Sequence, residues 1–154
     1  MRTLPLPALV LGLGGLIPFV VTSLVAGTSG PDWQGRAMLV LAAYAAVILA
    51  FLGGVHWGFA LMPGAAAQRM RLTLGVMPSL VGWAGLLVVF TGLETVGLMV
   101  LAAGFVALTI VEGRAAGRGL MPGGYMGLRY VLSGVVIVCL VSVCLVRVFG
   151  VRLA

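Results

Sequence analysis

The 154-residue sequence is poor in charge and in the side chains that most enzymes use for chemistry. It has no lysine, three acidic residues, one histidine and two cysteines. Charged residues make up 8% of the chain, against about 25% in an ordinary soluble domain, and 62% of the residues are hydrophobic. Such a chain cannot cover a core with a polar surface. These deficits exclude an ordinary soluble domain.

The same scarcity argues against catalysis, metal binding and nucleic-acid binding. The chain lacks the G-x-S-x-G and H-E-x-x-H motifs, and it has too few His, Cys and carboxylate side chains for a usual metal site. We therefore expect no enzyme, no catalytic residue, no metal and no cofactor, although a quinone or a lipid could bind. The nine basic residues are all arginines scattered between apolar runs, so the net charge of +6 predicts membrane lipids as partners and not nucleic acid.

Several apolar stretches approach the ~20 residues that a helix needs to cross a bilayer. Connections rich in Gly, Pro or charge separate them, as expected between helices. We predict an all-α integral membrane bundle that forms a single transmembrane domain over residues 1–154. Its five spans are predicted at about 4–26, 37–62, 72–90, 95–111 and 130–149.

The arginines divide unevenly between the two sides that these spans define. The side of the N-terminus carries Arg2, Arg69, Arg71, Arg114, Arg118 and Arg129, and the other side carries Arg36, Arg147 and Arg152. Because cytoplasmic loops carry an excess of basic residues, we expect a cytoplasmic N-terminus and a C-terminus outside. The expected location is the bacterial cytoplasmic (inner) membrane, as a multi-pass protein.

The single histidine, His56, lies inside the apolar run ILAFLGGVHWG of the second span. An ionisable residue at membrane depth is by default a functional hypothesis. By helical spacing its imidazole stands above Gly53, where a neighbouring helix or a flat ligand has room to approach. We favour a structural role, in which His56 donates to a helix carbonyl such as one freed by Pro78 and accepts from Ser79 or Tyr125. Contact with a quinone-like ligand, and haem or metal ligation, remain open.

The spans bring several polar side chains to one cytoplasm-facing layer around this histidine. The candidate ligand-binding set is His56, Trp57, Ser79, Glu112, Tyr125 and Arg129. Tyr125 and Arg129 share a helix face if the last helix begins early, and Arg129 is then expected to pair with Glu112. This ion pair is the main candidate for holding down the long loop at 113–127.

A second set of residues is assigned structural roles. Gly53, Gly54 and Gly58 offer small faces that let helix backbones approach closely. The two prolines and the tryptophan of this set are Pro18, Pro78 and Trp83. Each proline lies within a span, where it frees a backbone carbonyl and is expected to kink the helix. The tryptophan lies near the middle of the third span and is expected to pack in the core.

Four stretches carry a resemblance to a known family: LGGLIPFV, AYAAVILAFLGGVHWGFAL, GVMPSLVGWAGLL and LMPGGYMGLRYVLS. Together they resemble the DUF3429 family of small membrane proteins, which includes a vertebrate mitochondrial transmembrane relative. The resemblance implies a five-helix or similar inner-membrane protein but no activity. The positions that match the family pattern are His56, Trp57, Pro78, Trp83, Tyr125 and Arg129. Gly124 and Ser133 depart from it, since an aromatic residue and a threonine are usual there.

These observations favour a small accessory or assembly subunit that packs against a larger membrane complex of the respiratory or electron-transfer kind. The reasons are the lack of a catalytic set, the short loops, the small-residue faces and the mitochondrial relative of the family. The alternative is the binding or transport of an amphipathic small molecule, such as a quinone, near His56. A membrane enzyme using His56 and Glu112 as an acid/base pair is a third hypothesis.

Overall fold

The computed structural model describes residues 5–121 and 124–150. Within these residues the chain is helical and contains no strand. The helices are α1 (Leu6–Gly14), α2 (Ile17–Thr28), α3 (Pro31–Ala60), α4 (Gln68–Phe90), α5 (Glu94–Gly117) and α6 (Tyr125–Phe149). Leu4, where the first span was predicted to begin, lies outside the described residues, as do Arg2 and Arg152 of the arginine count.

Within the described residues, five helical segments are long and apolar enough to cross a membrane. The first, Leu6–Thr28, consists of α1 and α2 together, and α3 to α6 provide the other four. The predicted all-α bundle of five spans is therefore confirmed, while the orientation of its termini stays a prediction. The helices extend beyond the predicted spans because hydropathy marks the apolar part of a helix, whereas backbone hydrogen bonding continues into its polar ends.

The first span is interrupted just before Pro18. α1 ends at Gly14, and Pro18 lies in the first turn of α2. Because proline has no N–H, it cannot donate to the carbonyl four residues earlier, and the helix is easily broken there. The Tyr44 hydroxyl on α3 donates to the carbonyl oxygen of Gly15 at 3.0 Å, which satisfies one acceptor at the break. Pro78, in contrast, lies inside an uninterrupted α4.

Helices α2 to α6 pack in a ring in which each neighbours the next in the chain and α6 returns to α2, while α1 contacts α6. α3 also contacts α5 across the bundle. The tightest approach is between α3 and α4, where a Cβ added to Gly53 would overlap the carbonyl oxygen of Gly75. A Cβ on Gly82 would lie 3.0 Å from the carbonyl oxygen of Ala46. Small residues therefore set the separation of these two helices.

The structure leaves two of the small residues open and contradicts the expectation for the tryptophan. Gly54 and Gly58 do not pack within the chain, since a Cβ at either position meets no described atom within 4 Å. Trp83 does not pack in the core, because 63% of it is exposed. α4 buries its small face, which includes Gly75 and Gly82, against its neighbours and leaves this large side chain on the outside. On a membrane-spanning bundle that outer surface faces lipid.

Candidate functional site

A buried polar cluster lies where α3 and α5 end and α6 begins; we call this end of the bundle the cluster end. Glu112 on α5 is completely buried and binds side chains from two other helices. Its Oε2 accepts a hydrogen bond from Arg129 Nε on α6 at 2.5 Å. Its Oε1 lies 3.1 Å from His56 Nε2 on α3 and 3.5 Å from the Tyr125 hydroxyl. We call these four residues the Glu112 cluster.

The local folding of two helices places these side chains. α6 begins at Tyr125, directly after Gly124, which has the left-handed conformation at φ 82°. Because this start places both Tyr125 and Arg129 in the helix, they lie one turn apart on one face. His56 belongs to the face of α3 that is buried throughout: Leu49, Leu52, Gly53, His56 and Ala60. The last helix begins five residues before the predicted start of its span at 130, and the expected ion pair between Arg129 and Glu112 is present.

The cluster balances charge inside the bundle. Arg129 is 4% exposed, so its charge and that of Glu112 are both removed from solvent and compensate each other. Because a carboxylate only accepts hydrogen bonds, the contact with Glu112 requires a proton on Nε2 of His56. Two buried nitrogen atoms, His56 Nδ1 and Arg129 Nη2, have no hydrogen-bond partner within the described chain. Glu112 therefore fixes the orientation of both side chains but leaves a nitrogen atom of each without a hydrogen bond.

Arg129 also lines two adjoining cavities between the first span, α3 and α6. Their volumes are about 140 and 390 Å³. Both cavities are lined by Leu11, Gly12, Phe51, Leu52, Arg129 and Leu132, and we call them together the α1–α3 groove. The wall is apolar apart from Arg129, Tyr125 and Ser133. Leu11 and Phe51 at its edge are 75% and 66% exposed, so the groove opens sideways onto the outer surface of the bundle.

Two members of the candidate set do not join the cluster. Trp57 is 43% exposed, and its indole N–H donates to the carbonyl oxygen of Leu72 at 3.1 Å. It follows His56 by one residue, which turns it about 100° around the helix. Ser79 is half-buried on α4 and makes no hydrogen bond to the cluster within the described chain. The favoured hydrogen bond of His56 to a carbonyl freed by Pro78 is replaced by its contact with Glu112.

Arg71 is a buried residue whose role was misjudged from the sequence. The sequence predicts lipid head groups as the partners of the arginines, yet Arg71 is only 9% exposed. Its Nε donates to the carbonyl oxygen of Ala66 at 3.0 Å, and its Nη2 donates to that of Leu120 at 2.6 Å. The guanidinium also lies 5.3 Å from the centre of the Phe59 ring. Arg71 thus ties the α3–α4 connection to the chain that follows α5, and nothing in the sequence pattern marks it for this.

Thr109 and Ser133 form a smaller polar contact between α5 and α6 that the sequence did not suggest. Their hydroxyl oxygens are 3.0 Å apart, and Ser133 is 2% exposed. Ser133 also lines the α1–α3 groove, so a second polar group lies one turn beyond Arg129. In the described part of the chain no three His, Cys, Asp or Glu side chains come together as a metal ion would need.

Five apolar spans around a buried carboxylate, guanidinium and imidazole define a multi-pass membrane protein with a polar site in its apolar interior. The chain belongs to the family described as "Protein of unknown function (DUF3429)", whose profile matches residues 4–145. The resemblance seen in the sequence is thereby confirmed.

Two relatives are similar to part of the chain. Transmembrane protein 69 of Xenopus tropicalis is 44% identical over 89 residues, which cover 56% of this chain and 35% of that protein. Transmembrane protein 69 of Mus musculus is 38% identical over 85 residues, which cover 54% of this chain and 34% of that protein. The match therefore spans about a third of the length of these relatives. No solved structure matches the chain significantly.

Proposed function

We propose that the protein binds an amphipathic molecule in the α1–α3 groove, with a hydrogen-bond-accepting head on Arg129. A quinone, whose carbonyl oxygens accept hydrogen bonds and whose tail is apolar, has this chemistry. The observation that carries the proposal is Arg129, whose side chain lines both cavities of a largely apolar groove and whose buried Nη2 has no hydrogen-bond partner in the described chain. A buried donor left unpaired costs about 1–3 kcal/mol, so an acceptor at this point is favourable.

The dimensions and the opening of the groove suit such a ligand. Its larger cavity, at about 390 Å³, falls within the range of roughly 300–1,000 Å³ of small-molecule sites. The exposed edge formed by Leu11 and Phe51 gives the tail access from the surrounding lipid. Glu112 holds Nε of Arg129, which leaves the other nitrogens of the guanidinium for the ligand. In this proposal His56 positions Glu112 from the other side and does not itself contact the head group.

A titration of the purified full chain with decylubiquinone in detergent tests the proposal. A ligand at a hundredfold excess over its Kd stabilises the folded state by about 2.7 kcal/mol, which a thermal unfolding curve resolves. The groove-filling variant Val55→Trp is expected to abolish this stabilisation, because Val55 lines the larger cavity. The control Val47→Trp places the same side chain on the exposed face of α3 and is expected to respond like the wild type.

Each result of this titration bears on the proposal. Stabilisation of the wild type and of Val47→Trp, together with its loss in Val55→Trp, supports a ligand in the groove. Equal stabilisation of all three proteins means that the quinone binds elsewhere and contradicts the proposal. A wild type that does not respond rejects a quinone as the ligand.

A second candidate function is that of an accessory or assembly subunit of a larger membrane complex, such as a respiratory one. The observation that favours it is the open face of α3 at Gly54 and Gly58, four residues apart. Small residues at this spacing let another helix approach closely in a membrane. Because this face meets no described part of the chain, a partner helix has room to dock there.

Affinity purification of the tagged chain in a gentle detergent tests this candidate. A stoichiometric membrane-protein partner is expected with the wild type and is lost when Gly54 and Gly58 are both replaced by leucine. The unfolding temperature of the isolated chain should not fall, since a Cβ at either position meets no described atom within 4 Å and the side chains start from an open face. Recovery of the chain alone contradicts the subunit role.

A further inference from the structure

Two arginines lie together on the outside of the cluster end, apart from the α1–α3 groove. Arg114 lies in the last turn of α5 and Arg118 caps that helix, so they stand one turn apart on one face. Both line a cavity of about 220 Å³ against the start of α4. The rest of its wall is formed by Met70, Val111 and Ala115, which are apolar. The cavity therefore has two cationic side chains on an otherwise apolar wall.

No carboxylate in the described chain neutralises this pair. The ion pairs there join Glu112 to Arg129 and to His56, and Glu94 to Arg147, and none includes Arg114 or Arg118. The C-terminus of a helix offers the equivalent of about half a negative charge, which is much less than two guanidinium charges. The arrangement is thus suited to an anion from outside the chain.

An apolar groove continues from the arginine cavity along the α4–α5 surface. It encloses about 230 Å³ and is lined only by Leu74, Met77, Pro78, Val81, Gly104, Ala107, Leu108 and Val111. Val111 lines both this groove and the arginine cavity. From Val111 to Gly104 the groove follows α5 for about 10 Å toward the middle of the bundle. A ligand that occupies both the arginine cavity and this groove would have a charged head and an apolar chain.

We propose that this surface is a binding site for an anionic phospholipid. The phosphate of the head group lies between Arg114 and Arg118, and one acyl chain follows the groove past Val111 and Ala107. Arginines attract a negatively charged head group, and basic pockets between membrane helices bind such lipids. The apolar groove adds affinity for the acyl chain of the lipid, and a free phosphate ion lacks this contribution.

Lipid titration of the purified full chain, followed by mass spectrometry of the intact complex, tests the site. Dioleoylphosphatidylglycerol is expected to bind one to one and about tenfold or more tightly than dioleoylphosphatidylcholine. The variant Arg114→Gln/Arg118→Gln is expected to lose about 30-fold in affinity for the anionic lipid. The control Arg36→Gln/Arg69→Gln removes the same charge from exposed positions outside the cavity and should bind as the wild type does.

A second pair of variants separates a lipid from a simple anion. Ala107→Phe fills the apolar groove without touching either arginine, and Ala103→Phe adds the same ring to an exposed position of α5 outside it. Loss of lipid binding in Ala107→Phe but not in Ala103→Phe supports the proposal. It is overturned if the two lipids bind equally, if Arg114→Gln/Arg118→Gln binds normally, if Ala107→Phe has no effect, or if millimolar inorganic phosphate displaces the lipid.

Discussion

Replacing Glu112 with glutamine removes the central charge of the Glu112 cluster and keeps the shape of the side chain. The change leaves Arg129, which is 4% exposed, as an uncompensated buried cation. It also places an amide where Glu112 accepts hydrogen bonds from Arg129 and His56. Breaking a buried pair by removing one partner costs about 3–5 kcal/mol. Because an amide oxygen still accepts one hydrogen bond, we expect a loss of about 3 kcal/mol.

A double substitution isolates the interaction between the two charges. In Glu112→Gln/Arg129→Gln no unpaired charge is left in the interior. The double variant should therefore lose less free energy of unfolding than the sum of the two single variants. Directly contacting residues show coupling of about 0.5–3 kcal/mol, and we expect the upper half of this range because both partners are buried.

The free energies can be measured by reversible unfolding in mixed micelles, followed by circular dichroism. The control is Glu94→Gln, the same substitution at the other end of the bundle. There Glu94 lies 4.0 Å from Arg147, and their side chains are 29% and 44% exposed, so the loss should stay below about 1 kcal/mol. If Glu112→Gln costs no more than Glu94→Gln, the buried pair does not hold the helices together and the reasoning is refuted.

Three other substitutions test the packing. Gly53→Ala should cost about 1–3 kcal/mol because its Cβ overlaps a backbone oxygen of α4, whereas Gly54→Ala should stay within about 0.5 kcal/mol in the same assay. Tyr44→Phe should cost about 0.6–1.7 kcal/mol by leaving the carbonyl at the break of the first span unpaired; a smaller loss means that another group satisfies it. Arg71→Gln should speed proteolysis of the chain after α5, and unchanged cleavage contradicts its role there.

Hydropathy was sufficient to predict the five spans because the bilayer sets both the length and the composition of a crossing helix. The ion pair of the site was predictable for a similar reason. With only three carboxylates in the chain, Glu112 at membrane depth needed a cation, and Arg129 was placed at the same end. The position of His56 above Gly53 on one face of α3 followed from helical spacing alone.

Other features depend on which face of a helix meets which neighbour, and hydropathy does not contain this information. In a chain that faces lipid, the outside of a helix is as apolar as the inside. Trp83 was therefore assigned to the core, although α4 buries its glycine face instead. The burial of Arg71 could not be predicted, because its hydrogen-bond acceptors are backbone carbonyl oxygens and no sequence pattern marks such acceptors. The α1–α3 groove depends on the break before Pro18 and on tertiary packing.

The most direct test of the proposed function is an experimental structure of the chain extracted together with its surrounding lipid. We expect density for an elongated molecule in the α1–α3 groove, with an oxygen atom about 2.7–3.2 Å from Nη2 of Arg129. The tail should leave the groove between Leu11 and Phe51. An empty groove, or Nη2 of Arg129 bonded to another part of the chain, would contradict the account.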